Sequence, residues 1–221
     1  MQIIKDMQKK VIIIDYQLGN LFSVKQAFDT IGINAEISSN REDIINADAL
    51  ILPGVGAFIE AMKNLHKLDL VSAIKEKVKN GTPFFGICLG QQLIFTSSEE
   101  FGDEKGLDLI QGEIKRFPDS IEDRKILVPH ISWNKLYKSE NQLDGTPLFD
   151  LKENDYMYFI HSYYVIPANN ECVLTNTNYD GIEFCSSVIK DNIFSTQFHP
   201  EKSGDRGVLI YKKWATINKL L

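Results

Sequence analysis

The rhythm of apolar and polar positions changes near the middle of this chain. In the first half, short apolar runs alternate with segments whose apolar residues recur every three to four positions. Val11–Ile14 and Ala49–Leu52 are unbroken apolar runs of strand length, and Phe84–Ile87 is a third. Between them, Asn20 to Ile31 sets Leu21, Val24, Phe28 and Ile31 at helical spacing. Ala57 to Asn80 also reads as helical, with a break expected near Leu68-Asp69, and Asn80-Gly81 is a stop signal. Asn34–Ser38 is a weaker strand, and Gly90–Ser97 follows Phe84–Ile87 as a helix. Strands alternating with helices predict parallel pairing through right-handed crossovers.

The second half is strand-rich. Gly112–Phe117, Tyr156–Ile166, Glu171–Asn176, Glu183–Lys190 and Ile193–Gln197 are separated by turn signals such as Tyr179-Asp180-Gly181. Hairpins are expected there, then a closing helix from about Ser203. With no repeat, low-complexity tract or linker, residues 1–221 read as one α/β domain. Its central mixed, mostly parallel sheet is flanked by helices, with antiparallel strands in the C-terminal half.

Composition narrows the classes. A net charge of −6 without a basic stripe argues against nucleic acid. The apolar runs are far too short to span a bilayer, and the N-terminus lacks the apolar core of a secretion signal. Cys88, Cys172 and Cys185 form an odd set with no CxxC pair. That argues against a disulfide framework and a zinc site, and for a reducing, cytoplasmic setting. No cofactor or metal is expected.

Two motifs carry chemistry. Gly86-Ile87-Cys88-Leu89-Gly90 joins an apolar strand to a helix and is the cysteine form of a nucleophile elbow. Side chains at Gly86 or Gly90 would collide with neighbouring backbone. The turn lifts Cys88 to a helix N-terminus, where the dipole favours the thiolate. The second motif, Gln197-Phe198-His199-Pro200-Glu201, follows a later strand and supplies a base with a carboxylate to orient it. Singly, each residue has a plainer reading: a buried cysteine, a packed histidine, an exposed carboxylate. Together they form a specific combination. His66, beside Lys67, reads as solvated, and Cys172 and Cys185 as small buried hydrophobes. A third segment, Pro53-Gly54-Val55-Gly56-Ala57-Phe58, is a strand-to-helix turn. It lacks the Gly-Lys-Ser/Thr of a phosphate loop.

Across nearly the whole chain, these motifs resemble those of the class I, triad-type glutamine amidotransferases, whose fold is flavodoxin-like. The resemblance implies glutamine hydrolysis through a thioester on Cys88, with His199 moving the proton and Glu201 steadying it. It makes the Pro53–Phe58 segment an oxyanion loop. Leu89 N–H would be one donor and Val55 or Gly56 the second, after a peptide flip. It assigns substrate contacts to Gly54, Gly90, Gln92 and the His161-Ser162-Tyr163 segment.

Further stretches resemble the glutaminase subunits of imidazole glycerol phosphate synthases. They are Asp15-Tyr16-x-x-Gly19-Asn20-Leu21, Val128-Pro129-His130-x-x-Trp133-Asn134 and Tyr158-Phe159-x-His161-Ser162-Tyr163-Tyr164. The implied partner is a (β/α)8 barrel cyclase in a heterodimer, receiving ammonia through a channel for histidine biosynthesis. Asn20 and Trp133 are the candidates for the partner-facing surface, although a core tryptophan fits the sequence equally. Against that pattern, Gln91 stands where Met is common, Ile131-Ser132 where Met-Gly is common, and residues 1–9 form an N-terminal extension. Two alternatives stay open: a paralogue donating ammonia to a sugar-modifying amidotransferase, and a non-catalytic binding module of the same fold.

Overall fold

The structure, a computed structural model, describes residues 9–152 and 155–221. The expected N-terminal extension therefore lies outside the described residues, save Lys9. The apolar runs of the first half form the parallel part of the main sheet. Its order is Glu36–Ser38, Val11–Ile14, Ala49–Gly54, Phe84–Cys88 and then Ile193–Thr196, all parallel. Val11–Ile14, Ala49–Gly54 and Phe84–Cys88 are buried at every position, which explains their lack of alternation. Ile182–Lys190, Tyr163–Pro167 and Gly112–Arg116 continue the sheet with antiparallel pairings.

Each face of the parallel part has its own core. On one side Ile12, Leu50 and Phe84 pack against Ala61, Leu65 and Ile74 of the helices Phe58–Lys67 and Val71–Lys79. On the other, Ile13, Ile51 and Phe85 meet Phe28, Tyr211 and Trp214 of the helices Leu21–Thr30 and Gly204–Ile217. The rings of Phe28 and Tyr211 meet edge-on with centroids 5.0 Å apart. The predicted break near Leu68-Asp69 is present, with Asp69 at φ 52°.

Three segments depart from the sequence reading. The helix expected over Gly90–Ser97 spans only Leu89–Leu93. Carbonyls of Leu93, Ile94 and Phe95 are taken by N–H groups of residues 107–110, which ends the helical ladder. The Tyr156–Ile166 run is two strands, Tyr156–His161 and Tyr163–Pro167, in different sheets. The first pairs with His130–Lys135 in a separate antiparallel ribbon that sequence reasoning missed. A short helix, Arg41–Ile45, was also missed; Asn40 caps it by accepting from Glu42 N–H at 2.9 Å. Cys185 is buried as expected, whereas Cys172 is only partly buried.

Candidate active site

The parallel pairing of Ile193–Thr196 with Phe84–Cys88 sets Thr196 opposite Ile87, so the chain beyond each strand emerges at one sheet edge. Cys88 stands immediately before the helix Leu89–Leu93 at φ 54°, ψ −109°, a positive-φ conformation that costs a non-glycine residue about 1–3 kcal/mol. The cost is met by the packing around it. A Cβ on Gly90 would lie 1.7 Å from the Leu52 carbonyl oxygen, so only glycine lets the helix start this close to the sheet.

Beyond the other strand, His199 is fixed from both sides of its backbone. Its N–H donates to the Tyr158 carbonyl at 2.9 Å, and Ser203 Oγ donates to its carbonyl at 2.6 Å. Its Nδ1 lies 2.7 Å from Glu201 Oε1, and the two side chains are 3% and 2% exposed. Tyr211 OH donates to the other carboxylate oxygen at 3.4 Å. Nε2 is buried with no regular hydrogen bond. Burial opposes charge on this ring, but the adjoining Cys88 sulfur and the Glu201 carboxylate outweigh it, and the imidazole is pushed up to about 10. The sulfur also accepts from Gln197 Nε2 at 3.7 Å.

His161 and His130 behave oppositely. Burial pushes His161 down to about 3 and His130 down to about 4. The raised value at His199 adds stability that is fully present below the ordinary 6.5 and is lost as pH rises towards 10. The lowered values add stability that is present above 6.5 and is lost as pH falls towards 4 and 3. An NMR titration between pH 5.5 and 8 is therefore expected to find His199 cationic and the other two neutral throughout. A His199 midpoint near the ordinary value would contradict this charge arrangement.

A cleft of about 260 Å³ opens over Cys88. Of the residues singled out in the sequence, Val55, Gly56, Leu89, Gln92, His161, Ser162 and Tyr163 line it with Cys88. Gly54 and Gly90 stand behind the lining. A Cβ on Gly54 would sit 1.9 Å from Tyr16 OH, which donates to the Pro53 carbonyl. Gln92 Nε2 donates to the Tyr163 carbonyl at 2.9 Å and to Gln197 Oε1 at 3.1 Å.

Three lining residues, Glu100, Pro129 and Ile160, were not singled out as site residues in the sequence, and Glu100 is the charged one. Glu100 accepts from Phe58 N–H at 2.6 Å, and burial raises its pKa. It supplies the end of the helix Phe58–Lys67 with an acceptor that Ala57 cannot provide. In the sequence it is one acid in a polar stretch, with no motif to mark it.

Trp133 is 51% exposed, which excludes the core reading; its ring meets Tyr158 edge-on at 6.0 Å. Asn20 is exposed and caps the helix Leu21–Thr30, accepting from Ser23 N–H at 3.3 Å. His66 is exposed. A larger groove of about 820 Å³, running past Lys138 and Asn170, shares no residue with the cleft. Among the described residues, no cluster of His, Cys, Asp or Glu converges as metal ligands would, and no helix is long and apolar enough to cross a membrane.

The family model described as glutamine amidotransferase class-I matches residues 12–213. The chain is 44% identical over 207 residues to "Imidazole glycerol phosphate synthase subunit HisH" of Aquifex aeolicus, covering 93% of this chain and 95% of that protein. It is 46% identical over 209 residues to the protein of the same name from Methanosarcina acetivorans, covering 93% and 98%. Among solved structures, "Structure of PurLQS from Thermotoga maritima" aligns with a TM-score of 0.71 at 17% identity, covering 95% of this chain and 99% of that one. "Crystal structure of glutamine amidotransferase" aligns at 0.68 and 15% identity, covering 94% and 98%. At these identities the solved structures speak to the fold, which is the α/β arrangement with a mixed sheet described above.

Proposed function

The chain belongs to the class-I glutamine amidotransferase family, and from that premise we propose that it hydrolyses L-glutamine and delivers the ammonia for imidazole glycerol phosphate formation in histidine biosynthesis. The observation that carries this reading is a cysteine held in a positive-φ turn beside a buried histidine–glutamate couple, under a cleft of amino-acid size.

Cys88 sulfur attacks the side-chain carbonyl carbon of glutamine as a thiolate. Its partner is His199, whose raised pKa favours the imidazolium. The negative oxygen of the tetrahedral intermediate is met by Leu89 N–H and by the N–H of Val55 or Gly56, once that peptide has turned. His199 gives its proton to the departing nitrogen, which leaves as ammonia, and a γ-glutamyl thioester remains on Cys88. Water then attacks the thioester, His199 takes its proton, and glutamate departs. Glu201 holds the ring by Nδ1 throughout.

The other end of glutamine is a zwitterion. The Ser162–Tyr163 backbone serves its carboxylate side; Gln92, whose two amide hydrogens are already engaged, offers only its Oε1 acceptor to the ammonium, and Glu100 is the acidic group facing that ammonium. Glu100→Gln keeps an acceptor for Phe58 N–H but removes the charge. It is expected to raise KM for glutamine about tenfold to a hundredfold, the worth of a charged hydrogen bond. An unchanged KM would remove Glu100 from the substrate site.

Ammonia released into water is lost as a reagent, so the cleft needs an acceptor enzyme over its mouth. The proposed acceptor is a (β/α)8 barrel cyclase, docked over Asn20 and Trp133 as a heterodimer in the cytoplasm. Three free cysteines suit that reducing setting. The test is glutamate release with and without a cyclase barrel and its nucleotide substrate. Strong stimulation is expected. Silence with that barrel, with stimulation by a sugar-pathway partner, would transfer the chain to the other ammonia acceptor.

A further inference from the structure

Two of the three buried histidines take no part in the chemistry just described. His130 and His161 face each other across the ribbon, and His130 Nδ1 lies 3.1 Å from His161 Nε2. His130 has no solvent exposure. It is stacked on Tyr179 at 4.0 Å and on Phe159 at 5.2 Å. Apolar residues would fill this volume without needing any polar partner, so the pair calls for an account.

The protons of the pair can be assigned from their partners. His161 Nδ1 lies 2.8 Å from the Tyr163 carbonyl, which can only accept. His161 therefore carries its proton on Nδ1, and in the neutral ring Nε2 is an acceptor. That nitrogen faces His130 Nδ1, so His130 must also be protonated on Nδ1. His130 Nε2 is then an acceptor, and it meets Ser132 Oγ at 2.8 Å and Asn134 Nδ2 at 3.0 Å, both able to donate. One proton arrangement satisfies every contact. Burial, which lowers both pKa values, keeps the rings neutral near pH 7.

The line continues into the cleft. The Tyr163 carbonyl also accepts from Gln92 Nε2, which donates to Gln197 Oε1, while Gln197 Nε2 donates to Cys88 sulfur. At the other end, Ser132 and Asn134 flank the exposed Trp133 on the outer strand of the ribbon.

We infer that His130 is a positioning residue for glutamine binding: its Nδ1–H fixes the tautomer of His161, which in turn holds the Tyr163 carbonyl, and with it the cleft wall, in register with Gln92. This rests on the glutaminase reading above for its substrate, but its proton arrangement does not. His130 touches neither substrate nor sulfur and acts only through His161.

The test has two parts. Nitrogen-15 NMR of histidine-labelled wild-type protein reads both tautomers directly, and Nδ1–H is expected on both rings. An Nε2–H form of His161 would overturn the inference whatever the activity. The second part compares His130→Phe, which keeps the stacking but has no N–H, with His130→Asn, whose amide places a donor near Nδ1. In the complex with the cyclase barrel, the Phe variant is expected to raise KM for glutamine about tenfold with kcat within about threefold, and the Asn variant to recover most of the loss. A Phe variant with wild-type KM overturns the inference alone, since the wild type is then an active glutaminase. A wild-type complex that releases no glutamate overturns the glutaminase reading, and the tautomers still judge the pairing. Should either variant fail to fold, the wild-type spectrum decides.

Discussion

Replacing Cys88 with alanine is expected to lower glutamate release by about four to six orders of magnitude, the loss typical when a nucleophile of a catalytic triad is removed. Nothing else in the cleft can take over. The thioester needs a sulfur within reach of His199, while Cys172 and Cys185 stand on other elements and belong to the opposite core. Fold and partner binding are expected to stay intact. Cys88 is 5% exposed at the bottom of the cleft, and alanine keeps the same backbone at φ 54°. Steady-state glutamate release and the affinity for the barrel, measured on one preparation, check both halves. Turnover near the wild-type level would end the nucleophile assignment.

The second large effect falls on stability. Gly90→Ala puts a methyl group 1.7 Å from the Leu52 carbonyl oxygen and 2.8 Å from its carbon. Backbone cannot swing aside as a long side chain does, so the helix Leu89–Leu93 must lift off the strand Ala49–Gly54 or the protein must unfold. Overpacking of this kind costs about 1–3 kcal/mol where side chains can yield, and more where the obstacle is main chain. A fall in thermal midpoint of several degrees, or insoluble expression, is the expected outcome. Where the variant folds, the lifted helix displaces Leu89 from the cleft lining, and activity is expected to fall as well. A wild-type midpoint would mean that helix and strand are not in close contact. Gly32→Ala, at a position with open space around it but φ 85°, serves as the comparison for conformational cost alone.

Much of the parallel half is legible in the sequence because its strands are buried on both faces and so run apolar without interruption. The grouping of Cys88, His199 and Glu201 is legible for a different reason. An elbow needs its glycines within two residues of the nucleophile, and His199 and Glu201 are two residues apart, so the chemistry is written locally. What stayed hidden depends on contacts between distant segments. Tyr156–Ile166 looks like one long strand because its composition does not change at Ser162, where the chain passes from ribbon to main sheet. The helix Leu89–Leu93 ends where it does because residues 107–110 claim the carbonyls of Leu93, Ile94 and Phe95. Glu100 is placed by the N–H of Phe58, a residue 42 positions away, and no spacing rule reaches that far. His130 has the same history, since its meaning depends on the residue facing it across the ribbon.

The chain's passage from one sheet to the other at Ser162 has a mechanical result. The wall of the cleft is continuous with the ribbon, and Tyr158 on that ribbon bonds the His199 loop twice, through its carbonyl to His199 N–H and through its N–H to Ser203 Oγ. The outer strand that carries Trp133 is therefore joined, through one ribbon and its main-chain hydrogen bonds, both to His199 and to one wall of the cleft.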